Sequence, residues 1–445
     1  MIPIYSLREA KNSILVRKPI LESTVPPHVQ KHIFELFNES LSPQEVVKRI
    51  IQDVATRGDA AVIEWTKKLD KADVSKCIEV TSEELSTSLT KISHEDRNAL
   101  ILARDRILVF HQKQPSSSWI TDELGGQLGQ MIRPIERVGV YVPGGTAPLP
   151  STVLMSAVPA IVAGTKELVV VSPPNAKGQI SPTILAACAL ANQIGIKIRV
   201  FRVGGAQAIS ALAYGTQTIP KVDKIIGPGN LFVSLAKREV FGIVGIEGIA
   251  GPTEAIIIAD NTASPDLIAA DLLAQAEHDF LAIAILVTTS ETLAKSVQRS
   301  IEEQLPKISR KEIAQQAIQQ QGGIIVTSTM GEVLSVVNDF APEHLSIVTK
   351  NPWDLLPEVK HAGGIFLGET SCEVMGDYIA GPSHIMPTCG SARFASPLSV
   401  LDFVKIVSLV SLDQETVKKI APLAERIARA EKLTAHAEAA RRRIK

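Results

Sequence analysis

The spacing of apolar and polar residues divides the chain into two styles of sequence. From 43 to 69 apolar side chains recur at helical spacing, with Ser42 placed to cap the first turn, and 95–114 repeats that character. The early part of the chain is therefore expected to be helical. From about 138 short β-branched runs alternate with helical stretches. Strands are expected at 138–142, 168–171, 198–201 and 224–226, with helices near 152–163, 181–193, 206–213 and 230–239. A second series follows, with strands at 255–259, 283–287, 323–326, 346–348 and 364–367 and helices between them, including 265–278. Such alternation builds a mostly parallel sheet, because a crossover helix returns the chain to the same edge. The expected fold is α/β: two Rossmann-like parallel-sheet units with helical N- and C-terminal extensions, the last a helical tail over 413–445. Two such units in tandem make a cleft, and ligands are expected at the carboxyl ends of the strands.

Length supports this division, since 445 residues exceed what one core organises and two or three domains are expected. Aromatics make up 4% and the apolar fraction is 45%, a balance that suits buried parallel strands covered by helices. A net charge of −1 offers no field to draw the chain to nucleic acid or a membrane surface. Arg441, Arg442, Arg443 and Lys445 read as a solvated helix end. The longest apolar run, 280–287, is far too short to span a bilayer and reads as a buried strand. Residues 1–20 lack an apolar core followed by a cleavage site, so no secretory leader is expected. Cys77, Cys188, Cys372 and Cys389 form no CxxC pair. Free thiols in a reducing, cytoplasmic setting are the expectation.

Four histidines stand in company that could do chemistry. His278 closes Gln275-Ala-Glu-His278, where Gln275 and His278 share a helix face at i, i+3; a metal site or a histidine on the last carbonyls would both look like this. Pro342-Glu343-His344 precedes a strand and could be an acid/base couple or a surface pair. Neighbours on extended backbone point to opposite faces, so sharing a proton would need a turn there. Gly376-Asp377-Tyr-Ile-Ala-Gly-Pro-Ser-His384 reads as a tightly folded loop carrying a carboxylate and an imidazole. In the tail, Glu431 and His436 would lie about 140° apart on a continuous helix, and share a face only if the helix bends or ends between them. His28 and His32 sit four apart without a carboxylate or cysteine and read as a solvated helix face. Glycine turns at Gly204-Gly-Ala-Gln207 and Gly227-Pro-Gly-Asn230 follow strands, where backbone amides can meet phosphates. No G-x-G-x-x-G fingerprint occurs, so both Rossmann-like units are incomplete and these turns alone do not name a dinucleotide.

Taken together, these segments resemble the histidinol dehydrogenase family from about residue 30 to the C-terminus. The likeness is carried by Arg137-Val-Gly-Val-Tyr141-Val-Pro-Gly-Gly145, Gly204-Gly-Ala-Gln207-Ala, Gly227-Pro-Gly-Asn230 and Gly251-Pro-Thr253-Glu254. It continues through Gln275-Ala-Glu-His278, Ala341-Pro-Glu343-His344-Leu and Gly376-Asp377-Tyr to Leu433-Thr-Ala-His436. Thr253 stands where many members have serine, and Phe280 where proline is common; Cys372 and Ser383 are also atypical, Ser383 lying beside His384.

The resemblance implies a two-step, NAD-dependent oxidation of L-histidinol through bound L-histidinal to L-histidine, at the end of histidine biosynthesis. It implies one zinc ion per subunit, on Gln275, His278, Asp377 and a His436 supplied by the partner of a homodimer. Glu343 and His344 would be the catalytic acid/base pair. Substrate contacts would be Thr253, Gln275, His278, His344, Asp377, His384, Glu431 and His436, with Glu431 also donated across the dimer. NAD would meet Tyr141, Gln207 and Asn230. The implied division is a 1–34 extension, a larger α/β domain of 35–138 plus 254–398, an inserted NAD-side domain of 139–253, and a C-terminal helical tail of 399–445 for dimer contact. Two alternatives remain: a relative acting on another polar primary alcohol, which should lose the imidazole and amine contacts, and a catalytically silent binding or assembly protein, which should lose Glu343, His344 or a zinc ligand. All of these residues are present.

Overall fold

The computed structural model describes residues 1–17, 27–144 and 148–444. Gly145, the end of the first motif, and part of the 1–34 extension lie outside that description. The early region is helical as expected, but 43–69 forms two helices rather than one. Pro43–Arg57 begins at Ser42, whose hydroxyl accepts from the Glu45 amide, and it stops at Gly58 before Asp59–Leu69 starts. Gly58 has φ +59, and a Cβ there would lie 2.3 Å from the Gln217 side chain, so only glycine fits this break.

The first α/β series forms a five-stranded, wholly parallel sheet. Its spatial order is Lys197–Arg202, Glu167–Ser172, Arg137–Tyr141, Lys224–Ile226, Gly245–Ile246. Along Glu167–Ser172, Val169 and Val171 turn into one buried cluster, Leu168 and Val170 into another. The helices Gly205–Tyr214 and Leu231–Val240 cover the first face together with Val47, Ile50 and Val54 of the early helices. Pro150–Ala163 and Pro182–Asn192 cover the other, with Ile107 of the helix His94–His111. Burial on both faces is why these strands read as continuous apolar runs. Each such side chain contributes roughly 1.5–3 kcal/mol.

The second series forms a six-stranded parallel sheet, ordered Ile4–Ser6, Gly323–Val326, Ile283–Thr288, Glu254–Ala259, His344–Val348, Gly364–Leu367. Its first strand comes from the N-terminal extension, which was expected to be helical. The helix Pro265–Ala276 ends two residues short of the expected 278, and its neighbour strand begins at His344 rather than 346.

A third sheet was not foreseen. Trp119–Thr121, Gln127–Pro134 and Val404–Ser411 pair antiparallel, with Val404 opposite Pro134 and Ser411 opposite Gln127. The 399–445 segment is thus not all helical; it opens with a strand, and the helices Gln414–Ala430 and Thr434–Arg441 follow. In those two helices only Ala421 and Ala437 are buried, while Ile420, Leu423 and Ile427 are exposed. No described helix is long and apolar enough to cross a membrane.

Candidate active site

A cavity of about 1010 Å³ lies between the two parallel sheets. Leu149, Thr152 and Pro228 line it from the five-stranded side, and Thr253, His278, Glu343, His344, Asp377 and His384 from the other. Thr253 directly precedes Glu254–Ala259, and Glu343 directly precedes His344–Val348. The reacting groups therefore gather at the amino ends of the six-stranded sheet. This departs from the expectation of a site at carboxyl ends: on this sheet the cavity is lined from the amino ends.

The helix Met330–Phe340 ends at Ala341 in a left-handed conformation (φ 51), Pro342 follows, and the chain bends at Glu343 as it enters the strand. With that bend between them, Glu343 Oε2 lies 3.7 Å from His344 Nδ1 although the two residues are adjacent. The same oxygen accepts from the Thr253 hydroxyl (2.6 Å) and the Glu254 amide (3.0 Å). Burial raises the Glu343 carboxyl pKa, opposed by His344.

His344 is 4% exposed, and neither ring nitrogen has a hydrogen-bond partner among the described residues. Nδ1 lies 3.6 Å from Glu373 Oε1 and Nε2 3.6 Å from Asp377 Oδ1. Burial alone would depress this imidazole, but the carboxylates of Glu373, Glu343 and Asp377 push it up to about 10. Asp377 is pulled down, against its own burial, by the nearby His344 imidazole.

Glu373 was missed by sequence reasoning. It is buried, and burial raises its pKa against the pull of His344. With Asp377 it occupies a short helix, Glu373–Tyr378, where the sequence suggested a loop. The signal was there: Glu373 and Asp377 are an i, i+4 carboxylate pair and share a helix face. Among the described residues His344, Glu373 and Asp377 have donor atoms within 4.8 Å of one another, a set that suits a metal ion.

Gln275 is fully buried at the end of its helix, its side-chain nitrogen 2.8 Å from the Thr253 hydroxyl. Turned over, the amide would instead donate to Glu373 and accept from the Glu254 amide at 2.9 Å, a better match of donors to acceptors. His278 opens into the cavity, yet the protein around it lowers its pKa. His384 Nδ1 lies 2.7 Å from the Asp377 carbonyl, so that nitrogen carries the proton and Nε2 is left as an acceptor, 3.4 Å from the Thr152 hydroxyl. Burial holds His384 below the ordinary histidine value. Ser383 is buried and its hydroxyl accepts from the Ile385 amide, so it is spent within its own turn.

Glu431 and His436 are not brought to this cavity. They flank a break at Lys432 (φ 61) between the tail helices, and both are exposed. The helix does end between them, as a shared role would require. Tyr141, Gln207 and Asn230 stand at the carboxyl edge of the smaller sheet. Tyr141 is buried and its hydroxyl accepts from the Gly205 amide at 3.3 Å. Gln207 is fully buried, donates to Asp70 at 3.4 Å, and its side-chain oxygen has no partner among the described residues. Asn230 caps Leu231–Val240, accepting from the Phe232 and Val233 amides. Gly227, ahead of it, has φ +107, and a Cβ there would lie 2.1 Å from the Tyr141 carbonyl. The buried Lys237 ammonium fixes this turn, reaching Gly227 O at 3.2 Å and both oxygens of Glu247 at 2.7 Å. His32 is exposed beside Glu35, and the side chain of His28 lies outside the description.

Residues 37–444 match a family model described as histidinol dehydrogenase. A histidinol dehydrogenase of Deinococcus radiodurans is 46% identical over 441 residues, covering 99% of both chains. One from Aquifex aeolicus is 50% identical over 395 residues, 88% of this chain and 91% of its own. Among solved structures, the histidinol dehydrogenase of Elizabethkingia anophelis superposes with a TM-score of 0.88 at 37% identity, covering 99% of this chain and 96% of that one.

Proposed function

The chain belongs to the histidinol dehydrogenase family, oxidoreductases of histidine biosynthesis, and on that premise we propose how its own residues divide the work of oxidising L-histidinol to L-histidine. The observation that carries the proposal is the buried Thr253–Glu343–His344 group, with His344 unbonded at both ring nitrogens and open to the cavity. His344 takes the alcohol proton as hydride leaves to NAD, giving the aldehyde, NADH and a proton. Glu343, held by the Thr253 hydroxyl and the Glu254 amide, activates water to hydrate the aldehyde. Loss of a second hydride to a second NAD, with the hydrate's hydroxyl proton taken by His344, gives the acid and a second NADH. The cavity retains the aldehyde between steps, which limits its escape.

To act as a base His344 must be neutral, and three surrounding carboxylates oppose that. A positive charge among them resolves the conflict. The donors present fit zinc: imidazole from His278, carboxylate from Asp377 and amide oxygen from Gln275, completed by His436 of the partner subunit. Bound there, zinc supplies a fixed charge that anchors the imidazole and amine of the substrate. His384, with Nε2 free to accept, and Thr253 complete the substrate contacts, joined by Glu431 of the partner subunit. The exposed apolar residues of the tail are the reason to propose a homodimer: Ile420, Leu423 and Ile427 form a stripe at helical spacing that this chain leaves uncovered. NAD is proposed to lie against Tyr141, Gln207 and Asn230. A cytoplasmic location suits four cysteines without a disulfide among them.

The test is the number of NADH formed per L-histidinol by zinc-loaded protein with substrate limiting. Two supports both half-reactions. One removes the role given to Glu343. None, with zinc bound, removes the substrate.

A further inference from the structure

Paired with Glu254, whose amide holds Glu343, lies a cation that neither the motifs nor the proposed mechanism uses. Arg17 ends the described part of the N-terminal extension and lines the cavity. Its guanidinium makes a two-pronged pair with Glu254, Nε to Oε1 at 2.9 Å and Nη2 to Oε2 at 2.6 Å. Nη1 donates to the Phe340 carbonyl and Nη2 to the Ala341 carbonyl at 3.5 Å. The plane sits over the Phe340 ring, 3.8 Å from its centroid. The Glu254 side chain is 2% exposed, so this is a pair within the protein and not on its surface. Room for the fork is made by Gly390, where a Cβ would lie 2.3 Å from Nη1.

These contacts fall on both supports of Glu343. One is the start of the strand Glu254–Ala259, whose first amide and preceding hydroxyl hold the Glu343 carboxylate. The other is the end of the helix Met330–Phe340 and the left-handed Ala341, two residues before Glu343. A helix C-terminus gathers unpaired carbonyls and favours a cation there. Lysine could supply the charge, but not three directions of donation in one plane.

We infer that Arg17 is a positioning residue for Glu343: by bridging Glu254 to the carbonyls of Phe340 and Ala341 it fixes the distance between the strand that holds the carboxylate and the turn that delivers it. The inference rests on the water-activating role proposed for Glu343, so a failed second oxidation is its signature. The experiment follows NADH per limiting L-histidinol in zinc-loaded enzyme with semicarbazide present to capture released aldehyde, in Arg17→Ala, Arg17→Lys and Glu343→Gln proteins whose folding is checked by thermal melting. Arg17→Ala is expected to fall from two NADH toward one and to lose about tenfold to a hundredfold in kcat, as small misplacements of catalytic groups do, with KM for histidinol little changed. Arg17→Lys should recover part of both. Retention of two NADH and the parent kcat in both Arg17 variants, or an equal slowing of both oxidations, overturns the inference. Should Arg17→Ala fail to fold, Arg17→Lys carries the test through the same ratio. Glu343→Gln separates the two ideas: if it keeps two NADH at the parent rate, the role of Glu343 fails; if it falls while the Arg17 variants do not, only the inference fails.

Discussion

The two parallel sheets present opposite ends to the same cavity. The five-stranded sheet turns its carboxyl edge inward through Leu149, Thr152 and Pro228, while Tyr141, Gln207 and Asn230 stand on that edge outside the cavity lining, beside the starts of Gly205–Tyr214 and Leu231–Val240. Helix N-termini bring unpaired amides and partial positive charge, which suits phosphate. The six-stranded sheet turns its amino edge inward, so the ends of Pro265–Ala276 and Met330–Phe340 point there. Helix C-termini carry carbonyls and partial negative charge, and the side chains added to them are Glu254, Glu343, Glu373 and Asp377. One edge is built for anions and the other for cations. A fold-level rule that ligands bind at carboxyl ends of α/β strands picks out the first edge and would not have picked out the second.

Four experiments press on that contrast. The largest effect belongs to the amino edge: His344→Asn should lower kcat by about a hundredfold to ten-thousandfold in NADH assays, the range for a lost general base. A loss below tenfold would take His344 out of the proton transfer. At the carboxyl edge, Lys237→Met leaves the partly buried Glu247 with the Gly227 amide but without its cation, and should reduce stability by about 1.5–3 kcal/mol in urea unfolding. Unchanged unfolding would show that the Gly227 turn stands without its clamp. His436→Ala tests whether the amino edge is completed across a dimer: zinc retained after dialysis should fall by at least about tenfold, on the scale known for weakened metal sites. Full zinc content by elemental analysis would exclude that residue from the metal.

The smallest effect concerns Asp70, beside Gln207, whose carboxyl is raised by burial to about 6. The folded form binds this proton more tightly than the unfolded chain, so stability from this group is present at low pH and lost as pH rises through about 6. Asp70→Asn should therefore gain about 1–2 kcal/mol at pH 8, with the gain shrinking toward pH 4. An equal difference between the two proteins at both pH values would mean that ionisation is not its cause.

What the sequence made legible followed from periodicity. The buried strands of both parallel sheets and the helices between them were readable because apolar runs of that length have few other uses. The unread parts share a cause, dependence on distant partners. Ile4–Ser6 is three residues long and becomes a strand only by lying beside Gly323–Val326. Val404–Ser411 shows no period two, since its polar residues Lys405, Ser408 and Ser411 recur every third position, and its neighbour Gln127–Pro134 lies far away in the chain. Within the site, the approach of Glu343 to His344 goes with a bend at Glu343, which a run read as extended backbone does not announce. Glu373 was legible and passed over, since its i, i+4 relation to Asp377 shows only if that stretch is read as a helix.

The six-stranded sheet also sets an order of events during synthesis. Every strand of the smaller sheet lies between Arg137 and Ile246, so that unit has all its pairing partners as soon as this stretch leaves the ribosome. The larger sheet cannot close then: Ile4–Ser6, among the first residues made, must wait for Gly323–Val326. Pairings so far apart in sequence form late, and the strand edges they leave open meanwhile are sites of misassembly. The cavity therefore forms late, after both units. A nascent chain stalled before residue 323 would carry all five strands of the smaller sheet beside a larger sheet with only Glu254–Ala259 and Ile283–Thr288 to pair.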